Sequence, residues 1–255
     1  MARYQVILAY DGSGFRGSQR QVNHRTVQGE LEKSLRKLGW NGKSVLLAGR
    51  TDTGVHASGQ VAAFDLDWNH ADGQLLKALN AELPSDIAIK NLHTASADFH
   101  PRFDAVSRRY RYRLFCEPTR DPLRERFVWR LWPAVDEKLL KRSAGLFLGR
   151  HDFAAFGSPT TPKRTTVRTV TKAGWRIMPD GEWQFEVRAD AFLYRMVRRM
   201  VFVQVSLAQG KCSGEEVCSA LKKQVDTLSR AGRGIPAGLA PAHGLELVEV
   251  TYGSH

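Results

Sequence analysis

One short stretch of this chain gathers an acid, a base and several hydroxyl groups: Ala48-Gly49-Arg50-Thr51-Asp52-Thr53-Gly54-Val55-His56-Ala57. Apolar runs from Val45 to Ala48 and from Val61 to Phe64 predict short strands on either side, with a loop between them. Asp52 stands two residues from Arg50, and Gly49 and Gly54 let the backbone bend sharply beside them. A carboxylate held near a guanidinium stays ionised, as a nucleophile must. By residue type and spacing alone, Asp52 serves equally well as an acceptor for the N–H groups of its own turn, the commoner use of a loop aspartate. A hydrolase built on Asp52 and His56, with or without a metal, is a weaker reading, because four residues along a loop fix no shared geometry.

Two further stretches carry chemistry. Ser107-Arg108-Arg109-Tyr110-Arg111-Tyr112-Arg113-Leu114-Phe115-Cys116 reads as a strand. Alternation puts Tyr110, Tyr112 and Leu114 on one face and Arg109, Arg111 and Arg113 on the other. One face is aromatic and the other cationic, which suits a core sheet with solvated arginines and equally a platform for a flipped base. The apolar run Phe192–Gln209 predicts a helix with Arg195, Arg198 and Arg199 on a single side. A half-buried arginine needs a carboxylate, and Arg198 with Asp52 is a natural candidate pair.

The elements that must position these groups follow from periodicity. Tyr4 to Tyr10 reads as a strand ending in the turn Asp11-Gly12-Ser13-Gly14, followed by a basic loop, Phe15 to Arg25, with the composition of a phosphate cradle or a solvated surface loop. Thr26 caps a helix carrying Val27, Leu31, Leu35 and Leu38, which stops at Gly39. A second helix from about Asp72 carries Leu75, Leu76, Leu79 and Leu83 and ends at Pro84, and Ile87 to Leu92 is a strand. Strand, helix, strand, strand, helix, strand is the order of a ferredoxin-like unit. In the second half Asp136 caps a helix ending near Gly149, and His151-Asp152 heads an aromatic run and is read as structural. Gly157 to Thr166 is a basic loop suited to an RNA backbone, and Val167–Ile177 and Glu182–Ala189 form a hairpin around Pro179-Asp180-Gly181. Ser213-Gly214-Glu215-Glu216 is a capping box opening a last helix, Arg230 to Pro241 is a glycine- and proline-rich loop, and Leu245 to Tyr252 is a final strand. The boundaries predicted are an N-terminal α+β lobe at 1–104, carrying the aspartate loop, and a C-terminal α+β lobe at 105–255, carrying the tyrosine strand and the arginine helix.

Composition narrows the function classes. With 38 Lys+Arg against 26 Asp+Glu the formal charge of the 255-residue chain is +12, a balance suited to a polyanion partner. Three cysteines without CxxC spacing indicate neither a disulfide framework nor a zinc site, so a reducing cytoplasm is the compartment expected. No apolar stretch is long enough to span a membrane, and no signal segment is read at Met1-Ala2-Arg3. No dinucleotide fingerprint or Walker loop is present.

The string Gly49–Ala57 resembles the active-site loop of the tRNA pseudouridine synthase A family, whose pattern is close to G-R-T-D-x-G-V-H-A. The resemblance extends in order through Tyr10-Asp11-Gly12-Ser13-Gly14-Phe15, Thr26–Glu32, Arg109-Tyr110-Arg111-Tyr112, Phe192–Arg198 and Ala240–Leu245, so it covers nearly the whole chain. It implies an α+β fold of two ferredoxin-like, RRM-like lobes whose mainly antiparallel sheets flank a central basic cleft. It also implies isomerisation of uridine at positions 38, 39 and 40 of the tRNA anticodon stem-loop, with no cofactor and no metal, by a cytoplasmic homodimer. Carried onto this sequence, the resemblance makes Asp52 the catalytic carboxylate, whether it attacks C1′, adds to C6 or removes the 2′ proton. Arg50 then contacts phosphate and helps hold the flipped nucleotide, Tyr110 stacks on the uracil and serves the proton transfer at C5, and Arg198 keeps Asp52 ionised and aimed. Tyr112 is expected to be a core neighbour, although a one-residue register change would exchange the two tyrosines. Phe202 departs from the family pattern, which has glycine shortly after the arginine. A non-catalytic RNA-binding protein on the same scaffold is the alternative, and it would tolerate Asp52→Ala.

Overall fold

The computed structural model describes residues 1–159, 165–222 and 234–253. It is a mixed α+β protein with mostly antiparallel strands, and the chain divides into two compact units. The first comprises Met1–Val106 with the C-terminal segment beginning at Glu246, and the second Ser107–Leu245. The final strand, which chain order assigns to the C-terminal lobe, therefore belongs to the first unit.

In the first unit β1 (Ala2–Tyr10), α1 (Val27–Lys37), β2 (Leu46–Leu47), β3 (His56–Leu66), α2 (Asp72–Glu82) and β4 (Ile87–Ala95) follow in the predicted order. β1 lies between β4 and β3, both antiparallel to it, and β2 pairs antiparallel with β3. The resulting order 4-1-3-2 is that of the ferredoxin-like unit, and β10 (Leu245–Tyr252) adds a short parallel pairing at the start of β3. Alternation along β1 buries Tyr4, Val6, Leu8 and Tyr10. α1 contributes Val27, Leu31 and Leu35, and α2 contributes Leu75 and Leu79, all fully buried. Ile7, on the other face of β1, joins a smaller cluster with Ala48, Val61, Ala63, Phe99, Val250 and Tyr252. Thr26 caps α1 as predicted, accepting the Gly29 N–H at 3.2 Å.

β3 starts at His56, five residues earlier than the apolar run suggests. The stretch His-Ala-Ser-Gly-Gln has little intrinsic strand preference. Its conformation comes from pairing, Gln60 opposite Leu8 and Ala57 opposite Tyr10. Gly59 is required there, because a Cβ would stand 2.1 Å from the carbonyl oxygen of Val248 on β10.

In the second unit β5 (Ala105–Cys116), β9 (Trp183–Ala189), β8 (Val167–Ile177) and β7 (Gly149–Asp152) form an antiparallel series, with β6 (Trp129–Leu131) parallel to β5. The hairpin turn is the predicted one, with Gly181 at φ +77° and Asp180 accepting the Glu182 N–H. Trp183, Phe185 and Val187 are buried against the same core as α3 (Glu137–Ser143) and α4 (Met196–Ala208). Inside it Gln204 accepts from the Trp175 indole N–H at 2.8 Å and from Ser143, so its buried amide oxygen is satisfied. Asp136 and Ser213 cap α3 and α5 (Gly214–Lys222) as expected. Lys163 and Arg164 of the basic loop, and the first part of the Arg230–Pro241 loop, lie outside the described residues.

α4 corrects one expectation. It begins at Met196 rather than Phe192, and Arg195 is its N-cap, in the left-handed region at φ 64°. Tyr194 instead bridges to Ser158, donating its N–H to the Ser158 carbonyl at 3.0 Å, and this pairing pulls residues 192–195 out of helical geometry. Arg195, Arg198 and Arg199 therefore do not line one helical side: Arg195 is exposed beside the Tyr194 ring, while Arg198 and Arg199 sit half-buried in the first turn.

Candidate active site

The loop between β2 and β3 is held from several sides within the first unit. Thr51 is the centre of that grip. Its N–H donates to Ser18 Oγ at 2.9 Å, its carbonyl accepts the Ser18 N–H at 3.1 Å, and its hydroxyl lies 2.8 Å from the Tyr10 hydroxyl. Gln60 Nε2 donates to the Gly49 carbonyl at 2.9 Å, and Val55 N–H closes a turn on the Asp52 carbonyl at 3.1 Å. Gly54, at φ +79°, supplies the left-handed residue of that turn, the sharp bend expected beside Asp52. Asp52 is half-buried and Arg50 exposed, so one loop presents a partly shielded carboxylate and a solvent-facing guanidinium.

Tyr10 is completely enclosed, and burial pushes its phenol up to about 12 despite the hydrogen bonds from Thr51 and Gln60 that work the other way. Its hydroxyl thus keeps its proton, and its grip on Thr51, at every physiological pH. His56 Nδ1 accepts the Gly12 N–H at 2.9 Å and stands 3.2 Å from Asp11 Oδ1, which ties the start of β3 to the turn after β1. That fold-building contact is a different use of His56 from the hydrolase role weighed for it.

The basic loop Phe15–Arg25 is ordered by ion pairs to carboxylates outside it. Arg25 makes two hydrogen bonds to Asp86, at 2.7 and 2.8 Å, and lies over the buried Phe15 ring. Arg20 reaches the fully buried Glu32 at 2.6 Å, and Glu32 also accepts from Gln28 and from the Val45 N–H at the start of β2. A buried carboxylate with three donors fixes both the loop and the entry to the aspartate strand.

The second unit holds Tyr110 and Arg198. Tyr112 is fully enclosed and its hydroxyl donates to the Pro241 carbonyl at 2.8 Å, while Tyr110 keeps 8% exposure and packs edge-on against Phe192 at 5.1 Å. Burial holds the Tyr112 phenol well above its ordinary range, with the Arg198 charge opposing it. Arg198 donates from Nε to the Ala240 carbonyl at 2.8 Å, and its own carbonyl accepts the Ala240 N–H at 3.2 Å. Arg198 and Tyr112 thus grip the consecutive carbonyls of Ala240 and Pro241, which fixes the Arg198 side chain at its root. Phe202, one turn further on, lies against Gly238, where a Cβ would come within 2.3 Å of its ring. The large residue is accommodated by a glycine in the facing loop, at φ +144°.

On the other face of β5 the arginines are drawn into ion pairs. Arg109, Arg111, Arg176 and Lys172 all surround Glu186, at 3.3 to 3.6 Å for the arginines and 3.2 Å for the lysine. Burial favours the neutral acid, but the Lys172 hydrogen bond and the charges of Arg176, Lys172 and Arg109 outweigh it and hold Glu186 below the usual range. The positioning residues Ser18, Tyr10 and Gln60 were not singled out from sequence. Tyr10 and Ser18 lie remote from Asp52 in the chain, Gln60 sits on the strand that follows the loop, and the only hint was the Tyr10 and Gly12 string.

Comparison with known proteins agrees with this frame. A family model described as tRNA pseudouridine synthase matches residues 6–104 and 144–253. A tRNA pseudouridine synthase A of Chloroflexus aurantiacus is 38% identical over 258 residues, covering 99% of this chain and 89% of that protein. A tRNA pseudouridine synthase A 1 of Bacillus cereus is 38% identical over 256 residues and the whole of both chains. A tRNA pseudouridine synthase A of Limosilactobacillus fermentum is 38% identical over 260 residues, covering 100% of this chain and 97% of that one. Among solved structures, a Cbf5-Nop10-Gar1 complex is similar over 79% of this chain at 10% identity and a TM-score of 0.33, a likeness too remote to bear on the site. By the family match and by relatives aligned from end to end, the chain belongs to the tRNA pseudouridine synthase family, isomerases that convert uridine to pseudouridine.

Proposed function

We propose that this chain isomerises uridine to pseudouridine at positions 38, 39 and 40 of the tRNA anticodon stem-loop, with Asp52 as the catalytic carboxylate. The observation that carries the reading is the half-buried Asp52 on a loop whose neighbouring residue, Thr51, is held at N–H, carbonyl and hydroxyl. A carboxylate that must meet one atom of a flipped nucleotide needs such a rigid mount.

The reaction balances without a donor or an acceptor of electrons. The N1–C1′ bond breaks, the uracil turns, C5 bonds to C1′, C5 loses a proton and N1 gains one. Asp52 opens this sequence by attack at C1′, by addition at C6 or by removal of the 2′ proton. Arg50, exposed on the same loop, takes a phosphate of the flipped nucleotide. Tyr110 stacks on the uracil and offers its hydroxyl for the proton at C5. Arg198, fixed at Nε by the Ala240 carbonyl, serves as the arginine that supports Asp52. The enzyme acts in the cytoplasm as a homodimer, and a particle of twice the 28.6 kDa chain is the expected sedimenting species.

The test is pseudouridine mapping of bulk tRNA from cells lacking this protein, complemented with the unaltered chain or with Asp52→Ala. Anticodon-arm pseudouridines restored by the unaltered chain alone support both the positions and the carboxylate. Restoration by both chains removes Asp52 from catalysis, and restoration by neither removes the anticodon arm as substrate.

A further inference from the structure

We infer that Ser18 is a positioning residue for the Asp52 carboxylate, acting through the main chain of Thr51. The inference rests on the reading of Asp52 as the catalytic group. Ser18 lies 33 residues before Thr51 and is fully enclosed. From this one residue the side chain accepts the Thr51 N–H at 2.9 Å and the main-chain N–H donates to the Thr51 carbonyl at 3.1 Å. Both polar main-chain groups of the residue just before Asp52 are thereby fixed to a single partner. The two bonds hold the peptide units on either side of the Thr51 Cα, Arg50–Thr51 through its N–H and Thr51–Asp52 through its carbonyl, so they restrain the rotation between them and set the direction in which the chain enters Asp52.

The clamp is itself mounted on a rigid element. The Ser18 carbonyl accepts the Gln28 N–H at 2.9 Å and the Gly17 carbonyl that of Val27 at 3.4 Å, so residues 17 and 18 complete the open first turn of α1. α1 is anchored by Val27, Leu31 and Leu35, each with no exposure. Gly17, at φ +90°, gives the turn that aims the Ser18 N–H, and a Cβ there would stand 2.9 Å from the Thr51 carbonyl oxygen. A continuous path of rigid contacts therefore runs from the core through α1, Ser18 and Thr51 to Asp52. Tyr10 adds a separate bond to the Thr51 hydroxyl but leaves the peptide groups alone, so it cannot replace Ser18.

Ser18→Ala keeps the main-chain bond to the Thr51 carbonyl but strips the acceptor from the buried Thr51 N–H, so the Arg50–Thr51 peptide is free to turn and one of the two restraints on the approach to Asp52 is lost. Turnover is measured as tritium released from a tRNA transcript made with [5-³H]uridine, since C5 exchanges its hydrogen for the new bond. The variant should lower kcat about 10- to 100-fold while leaving KM and tRNA affinity within about twofold, as for a misplaced reacting group. Ser18→Thr, which keeps the hydroxyl, should recover most of the rate. Ser18→Cys matches serine closely in shape and replaces oxygen with a weak acceptor, so it decides the matter should Ser18→Ala fold poorly, and it should fall between the other two. Rates for both Ser18→Ala and Ser18→Cys within twofold of the parent would overturn the inference, as would kcat and KM changing together with a lowered melting temperature. Asp52→Ala, assayed in parallel, separates the two ideas. If it turns over, the catalytic reading fails; if it is inactive while the Ser18 variants run at full rate, only the positioning role fails.

Discussion

Replacing Gly12 with alanine would put a methyl carbon 2.0 Å from the Val55 carbonyl oxygen and 2.4 Å from the carbonyl carbon. Contacts below 3.0 Å are essentially never made by a real Cβ, so the two segments must part by at least 1.0 Å, the difference between 3.0 and 2.0 Å. The obstacle is backbone, which has no rotamer to escape into. Gly12 is not among the residues with positive φ, so the penalty is steric contact and not dihedral strain. Val55 closes the turn that begins at Asp52, and Gly12 also donates to the adjoining His56, so the shift acts on the closing end of that turn. Overpacking of this size destabilises by about 1–3 kcal/mol. For a chain of this length each 1 kcal/mol lowers Tm by roughly 2–4 °C. A displacement of about 1 Å at a reacting group lowers turnover by about 100-fold. The assay is tritium release at saturating tRNA beside a thermal melt, with Gly73→Ala as control. Gly73 lies in the first turn of α2 with nothing within 4 Å of its Cβ position. That change should leave turnover alone and stabilise by up to about 1 kcal/mol. If Gly12→Ala turned over at more than about a third of the parent rate with an unchanged melt, the argument from close approach would be wrong.

The buried phenols give an alkaline limit. Tyr10 ionises near its ordinary value of 10.0 in the unfolded chain and at about 12 when folded, so between those values the unfolded state alone sheds the proton and stability falls as pH rises. A difference of two units is about 3 kcal/mol, and Tyr112 adds to it in the same direction. Urea midpoints measured between about pH 9 and about pH 11.5 should fall, less steeply for Tyr10→Phe, and an unchanged midpoint would contradict the enclosure of Tyr10. The two tyrosines of β5 should separate by assay: Tyr112→Phe leaves the Pro241 carbonyl without its donor and lowers stability by about 1–2 kcal/mol, read as a urea midpoint. Tyr110→Phe should slow tritium release, which Tyr112→Phe should leave alone.

Much of the architecture was legible because it is local. Periodicity at Val27, Leu31 and Leu35 with a threonine ahead of them specifies α1 and its cap, since spacing and capping act within a few residues of each other. The alternation in β5 likewise put Tyr110, Tyr112 and Leu114 on one face, and all three are buried. Where tertiary pairing competes with propensity, the reading slipped. The start of α4 is displaced by the Tyr194 bridge to Ser158, and the early start of β3 is imposed by β1.

The sequence by itself determined the basic charge, the βαββαβ order of the first unit and the string Gly49–Ala57 that points to a family, because each is written in residue type and spacing. Tertiary structure alone decided that the last strand returns to β3, that Glu186 gathers four cations, and that Ser18, Tyr10 and Gln60 converge on the aspartate loop. Those contacts join different strands and loops, many of them far apart in the chain, and their partners are fixed only when the packed core brings separate elements within hydrogen-bond reach.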